Sequence, residues 1–218
     1  MKSVAFVPIK LNNERFPNKN ITPFDGGDPL IHYILSTLKK VKNVDEIYVY
    51  CSSEEILPFL PEGVKFLKRE PYLDLSTTSF NEVLTTFAEK VTADVYALTH
   101  ATAPFIKPES IELGIDKVLS GKHDSALAVT KLQEFIWKDG LPFNYEVTNI
   151  PRTQDLEVLY TETCGLFVYT RDLILNKRRR VGDTPFLVEV SKIEACDINT
   201  KDDFVIANAI FKSLYLKG

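Results

Sequence analysis

Three cations follow closely on one another near the start of the chain. In "VAFVPIKLNNERFPNKN", residues 4 to 20, a strand-like apolar run ends at Ile9 and is followed by Lys10, Arg15 and Lys19. The planar guanidinium of Arg15 can fork onto two phosphate oxygens, while Lys10 and Lys19 act as point charges. Asn12, Asn13, Asn18 and Asn20 add amide donors and tolerate unusual backbone angles. This is side-chain chemistry suited to a polyphosphate. The loop nevertheless contains no glycine and fits neither GxxxxGK[ST] nor GxGxxG, which disfavours a P-loop ATPase or a dinucleotide-binding dehydrogenase. On spacing alone, a solvated polar loop is an equal reading. Far downstream, Asp197 and Asn199 follow a strand-like run two positions apart, so both side chains point to one side of an extended segment.

The elements that must position these groups alternate along the chain. Apolar runs of strand length are interleaved with amphipathic helical stretches, which implies α/β layering with a mostly parallel sheet. Residues 4–9 form the first strand. Asp28 supplies an N-cap and Pro29 a first helical position, ahead of an apolar face of Leu30, Ile31, Ile34, Leu35 and Leu38. Strands follow at 46–51 and 64–68. Ser79 and Glu82 form a capping box before Val83, Leu84, Phe87 and Val91. A strand at 95–99, a helix from Pro108 to about Ser120 and a strand at 125–130 complete a β-α-β-α-β-α-β-α-β order. That order predicts a Rossmann-like sheet with helices on both faces. In such sheets ligands bind beyond the carboxyl ends of the strands, where Lys10 stands.

Past Thr130 the texture changes. Residues 131–165 are interrupted by Trp137, Gly140, Pro142 and Pro151, and read as an excursion from the sheet or a dimerisation arm. Strand character resumes at 165–170. Thr200, with Asp202 and Asp203 in the first turn, opens a final helix that carries Phe204, Ala207, Ile210, Phe211 and Leu214. No repeat or low-complexity linker divides the chain, so 1–218 reads as one domain.

Composition narrows the function classes. Of 218 residues 44% are hydrophobic and 26% charged, with a net charge of −4, which argues against a general nucleic-acid binder. No apolar stretch reaches the roughly 20 residues of a membrane span, and the start runs directly into a strand without a signal-peptide core. Cys51, Cys164 and Cys196 are scattered without CxxC spacing, which favours a reducing cytosol over a disulfide framework or zinc site. Lys177-Arg178-Arg179-Arg180 lacks interleaved aromatics and reads as a solvated turn. Cys164 has no base close in sequence to make it a nucleophile.

Four segments carry a family resemblance. "PIKLNNERFPNKN" resembles the N-terminal signature P-A-R-G-G-S-K-R-x-P-x-K-N of the acylneuraminate cytidylyltransferases, with Arg15, Pro17, Lys19 and Asn20 coinciding. "THATAPFIKPESI" (99 to 111) is similar to the family's Q-P-T-S-P-L-R segment, "PRTQDLEVLYTETCGLFVYT" (151 to 170) to its R-x-Q-x-L…Y-x-E-x-G-x-x-Y-I stretch, and "EACDINTKDDF" (194 to 204) to E-x-I-D-I-D-T-x-x-D-F. The segments occur in the family's order over nearly the whole chain.

The resemblance implies a fold of the nucleotide-diphospho-sugar transferase type and a CTP-dependent enzyme that activates a 2-keto-3-deoxy sugar acid. It implies that Lys10, Asn13, Arg15, Lys19, Asn20 and Arg69 hold the nucleotide, with Lys19, Arg15, Lys10 and Asp197 catalytic. It further implies that Asp197, with Asn199, holds Mg²⁺, and that His100, Arg152, Gln154 and Tyr160 meet the sugar acid. A homodimer joined through 131–165 follows from the same resemblance. The chain departs from the pattern at Lys10, Leu11-Asn12, Ile106 and Asn199, where the family has arginine, two glycines, arginine and an acid. Those departures keep open a catalytically weak sugar-nucleotide-binding scaffold. A sugar-phosphate acceptor is a third reading, which Arg152 and Gln154 speak mildly against.

Overall fold

Alternation within the first strand decides the layering. A computed structural model describes residues 1–216. In chain order its elements are β1 (Ser3–Ile9), α1 (Leu30–Leu38), β2 (Glu46–Cys51), β3 (Val64–Lys68), α2 (Phe80–Lys90), β4 (Val95–Leu98), α3 (Pro108–Leu119) and β5 (Ser125–Leu132). A small hairpin of β6 (Trp137–Lys138) and β7 (Leu141–Pro142) follows, then β8 (Leu159–Thr170), α4 (Arg171–Lys177), β9 (Pro185–Glu189) and α5 (Lys201–Tyr215). From β1, Ala5, Val7 and Ile9 meet the apolar faces of α1 and α3, whereas Val4 and Phe6 meet those of α2 and α4. Phe6 stacks on Phe87 of α2 with ring centroids 3.9 Å apart. Both faces of the sheet are therefore dry, as a mostly parallel sheet requires.

The seven-stranded order is β3-β2-β1-β4-β8-β5-β9. β8 runs antiparallel to β4 and β5, and the remaining pairings are parallel. The chain leaves β1 for β2 on one side and reaches β4 on the other, so a crevice opens beyond the carboxyl ends of β1 and β4. Because β8 runs backwards, its early residues arrive at that same edge. α5 packs beside α1 through Phe24, Leu30, Phe105, Ile198, Ala207 and Phe211, which ties the segment before it to the crevice.

The mostly parallel layering matches the sequence expectation, with local differences. β2 and β3 are joined by a 3₁₀ turn over Glu54–Phe59 rather than an α-helix, because Pro58 withholds an amide donor. Pro29, not Asp28, is the N-cap of α1, and it makes no side-chain cap. The Asp28 carboxylate lies 3.5 Å from His32 instead. At α2 the Ser79 hydroxyl accepts from the Glu82 amide, whereas the reciprocal box with both bonds is found at Thr200 and Asp203. α4, β9 and the first half of β8 add to the expected elements. β5 and β8 continue as a paired ribbon as far as Leu132 and Leu159, so the excursion narrows to residues 133–158. Trp137, Leu141, Phe143 and Ile150 are exposed there. All three cysteines are free thiols. No helix among the described residues is long and apolar enough to cross a membrane.

Candidate active site

The crevice beyond β1 and β4 holds a cleft of about 420 Å³. The loop after β1 forms one wall, and the segment between β3 and α2, with Asp74, Ser76, Thr78 and Phe80, forms another. His100 lies at the end of β4, Cys164 comes from β8, and Asp197 and Asn199 precede α5.

The glycine-free loop is held by other means. Leu11 turns inward and joins the buried core, anchoring the loop where glycines would have let backbone approach a ligand. Asn18 takes the left-handed backbone conformation, φ 57°, that glycine otherwise supplies, and its amide donates to the Leu11 carbonyl at 3.3 Å. The Asn20 side chain donates to the Lys10 carbonyl at 3.0 Å. Asn13 lines the cleft and sits 3.5 Å from the same amide.

Lys19 is buried, and its Nζ donates to the Ile198 carbonyl at 2.8 Å, which places it beside Asp197. Burial lowers its pKa below the ordinary lysine value, against an opposing pull from the Asp197 charge. The Ile198 amide in turn donates to the Thr102 carbonyl at 2.9 Å, so the segment before α5 is pinned to the end of β4. Lys10 Nζ donates to the Asp74 carbonyl at 3.3 Å. Arg69 is buried and ion-paired with Asp74, whose other oxygen accepts from Ser52 at 2.5 Å. Much of its charge is thereby answered within the protein.

Arg15 donates to Asn199 Oδ1 at 3.0 Å, and Asn199 Nδ2 donates to Asp197 Oδ2 at 2.5 Å. The second oxygen of Asp197, Oδ1, is buried and has no hydrogen-bond partner. That unpartnered carboxylate oxygen beside a cationic loop fits a hard divalent cation such as Mg²⁺, which bridges to substrate phosphates and keeps waters. No cluster of three or more His, Cys, Asp or Glu among the described residues would hold a metal by protein ligands alone.

Opposite the loop, His100 Nδ1 lies 2.8 Å from the Cys164 carbonyl. A carbonyl can only accept, so that nitrogen carries the proton and Nε2 keeps its lone pair in the neutral ring. Burial lowers the His100 pKa, which favours this neutral form. Burial, reinforced by the Asp197 charge, pushes the Cys164 thiol up to about 11, so it rests protonated. Arg180, expected in a solvated turn, instead lies over the Phe167 ring at 3.6 Å. It donates to Glu162 at 2.8 Å and stands 5.7 Å from the ring of cleft-lining Phe80.

Nine residues singled out in the sequence line this one cleft: Lys10, Asn13, Arg15, Lys19, Asn20, Arg69, His100, Asp197 and Asn199. Arg152, Gln154 and Tyr160 are not brought to it. Arg152 and Gln154 occupy an exposed 3₁₀ turn on the excursion, where Arg152 forks onto Asp155 at 2.7 and 2.9 Å. Tyr160 is exposed on the ribbon, opposite Lys131. Asp74, Ser76, Thr78, Phe80 and Arg180 escaped the sequence reading. Residues 69–79 lack helical or strand periodicity, and Arg180 hid within a basic run.

The profile described as "Cytidylyltransferase" matches residues 4–203, which includes every cleft residue named above. The chain belongs to the cytidylyltransferase family. An N-acylneuraminate cytidylyltransferase of Streptococcus agalactiae is 19% identical over 94% of this chain and 52% of its own length. A 3-deoxy-manno-octulosonate cytidylyltransferase of Chlorobium luteolum is 27% identical over 58% of this chain and 49% of its own length. The chain thus spans about half the length of the curated relatives it matches. Among solved structures, a CMP:2-keto-3-deoxy-manno-octonic acid synthetase complexed with CTP has a TM-score of 0.73 at 16% identity, covering 98% of this chain and 99% of the other. A 4-diphosphocytidyl-2C-methyl-D-erythritol synthase from Anaerococcus prevotii has a TM-score of 0.70 at 16% identity, with coverages of 97% and 96%. These two likenesses concern the fold of the cytidylyltransferase.

Proposed function

We propose that the chain is a CTP-dependent cytidylyltransferase that joins CMP to a 2-keto-3-deoxy sugar acid and releases pyrophosphate. The observation that carries this reading is the gathering of Lys10, Arg15 and Lys19 around one cleft with the unpartnered oxygen of Asp197. Family membership and the substrates named for the relatives support the choice of nucleotide and acceptor class.

In the proposed reaction the anomeric hydroxyl of the acid attacks the α-phosphorus of CTP. The bond from that phosphorus to the bridging oxygen breaks, pyrophosphate leaves with the electron pair, and the proton of the attacking hydroxyl passes to solvent. Lys10 and Arg15 hold the outer phosphates, and Lys19 faces the charge that develops near the α-phosphate. Catalysis then consists of positioning and charge neutralisation, without a covalent enzyme intermediate. Asp197 would hold a magnesium ion together with triphosphate oxygens, and that ion supplies further charge neutralisation. The acceptor lies toward His100 and Phe80. Arg180, paired with Glu162 behind that wall, adds positive charge on the acceptor side that reaches His100, whereas Arg152 is forked onto Asp155 away from the cleft. Homodimerisation through the excursion is part of the reading, supported by its exposed Trp137, Leu141, Phe143 and Ile150.

The test is pyrophosphate release from CTP and Mg²⁺ with a panel of sialic, legionaminic, pseudaminic and Kdo-type acids. At least one acid is expected to give turnover above background. CTP binding by calorimetry, with no turnover of any acid, would instead leave a nucleotide-binding scaffold.

A further inference from the structure

We propose that Asn199 is a positioning residue rather than a cation ligand, so that the cleft offers a divalent ion one free carboxylate oxygen until the nucleotide arrives. The inference rests on the nucleotide reading of the cleft and concerns how the protein holds its charges there.

Both ends of the Asn199 amide are fixed by partners that have no choice of role. A guanidinium can only donate, so the group facing Arg15 at 3.0 Å must be the carbonyl oxygen. An ionised carboxylate can only accept, so the group facing Asp197 Oδ2 at 2.5 Å must be the NH₂. A flipped amide would set donor against donor and acceptor against acceptor. The side-chain carbonyl that could have served a metal is thus occupied by Arg15, and one oxygen of Asp197 is occupied by Asn199. Asp197 Oδ1 is left over, with the Lys19 ammonium held nearby on the Ile198 carbonyl. An aspartate at position 199 could still accept from Arg15, but it would oppose Asp197 with like charge unless a cation lay between them. Asparagine therefore replaces a two-carboxylate ion trap with a neutral strut. The strut steadies Arg15 for phosphate and leaves the ion to arrive with the oxygens of the triphosphate.

The experiment measures Mn²⁺ binding to nucleotide-free protein from the free-ion electron paramagnetic resonance signal. CTP binding by calorimetry in the presence of a chelator accompanies it. Asn199→Asp is expected to bind Mn²⁺ about tenfold more tightly than the parent, because ligand charge count sets affinity at oxygen sites. Asn199→Ala frees Asp197 Oδ2, so it is expected to bind Mn²⁺ at least as tightly as the parent while binding metal-free CTP several-fold more weakly, because Arg15 loses its support. Asp197→Asn in the Asn199→Asp background should abolish the gain. Mn²⁺ affinity that falls about tenfold in Asn199→Ala would make the carbonyl a ligand and overturn the proposal. Unchanged Mn²⁺ affinity in Asn199→Asp would overturn it as well. Neither result touches turnover by the parent protein, which tests the proposed activity separately.

Discussion

Lys19 is the most enclosed of the three loop cations; burial lowers its pKa, and the Asp197 carboxylate beside it opposes that shift. Lys19→Met removes that charge from the cleft and leaves the Ile198 carbonyl without its donor. The expected loss in kcat with CTP is about 10²–10³-fold, the scale for deleting one preorganised donor to developing charge. Steady-state pyrophosphate release measures it, and a loss confined to KM would place the lysine in ground-state binding alone. The placement of this residue in the cleft was legible in the sequence, because the signature spacing sets it on the same loop as Lys10 and Arg15. The orientation of Asn199 was not, since it is set by a contact with Arg15 across 184 positions. Arg152 stands off the cleft, on an exposed turn where it pairs with the aspartate three residues on.

At the scale of elements, the fourth signature segment begins with a residue whose work is architectural. Glu194 is buried, and its carboxylate accepts from the Lys107 amide, the Ser110 hydroxyl at 2.6 Å and the Ser191 hydroxyl at 3.0 Å. It therefore fastens the start of α3 to the segment that leads to Asp197. Burial alone would raise its pKa, but the hydrogen bonds from Ser110 and Ser191 more than offset this and hold the value below the ordinary carboxylate range. Glu194→Ala is expected to cost about 1–3 kcal/mol by stranding those donors. Urea denaturation checks the loss, and hydrogen exchange should quicken at the first turn of α3. The longer elements were readable because their apolar spacing is regular. The shorter ones were not: α4 has seven residues, β9 lies at the sheet edge, and the early part of β8 is mostly solvent-exposed, so none shows the alternation that marks a buried face.

At the scale of the whole molecule, the open edge of the sheet is steadied by charge. Glu46 on β2 accepts from Lys65 on β3 at 2.6 Å and lies 2.9 Å from Lys2. Hydrogen bonds from Lys65 and then Lys2 pull its pKa from 4.5 to about 2. A carboxyl depressed on folding stabilises the fold above its unfolded value and loses that effect as pH falls through the folded one. Solvent screening at this partly exposed site holds the contribution to about 1 kcal/mol or less. Glu46→Gln should therefore be slightly less stable at neutral pH and converge on the parent as pH falls from 4.5 toward 2. Urea melts across that interval measure the convergence. The layered architecture was the most legible feature of all, because strands buried on both faces read as near-continuous apolar runs between amphipathic helices.

The paired ribbon of β5 and β8 has a consequence for how such a protein can diversify. Leu132 and Leu159 stand opposite each other, so everything between them is a loop tethered at neighbouring points. Doubling the length of a flexible loop raises its closure cost by only about 0.6 kcal/mol. That appendage can thus be lengthened or shortened at little cost in closure, while the loop after β1 and the segment before α5, which carry the cations and Asp197 of the cleft, stand apart from it.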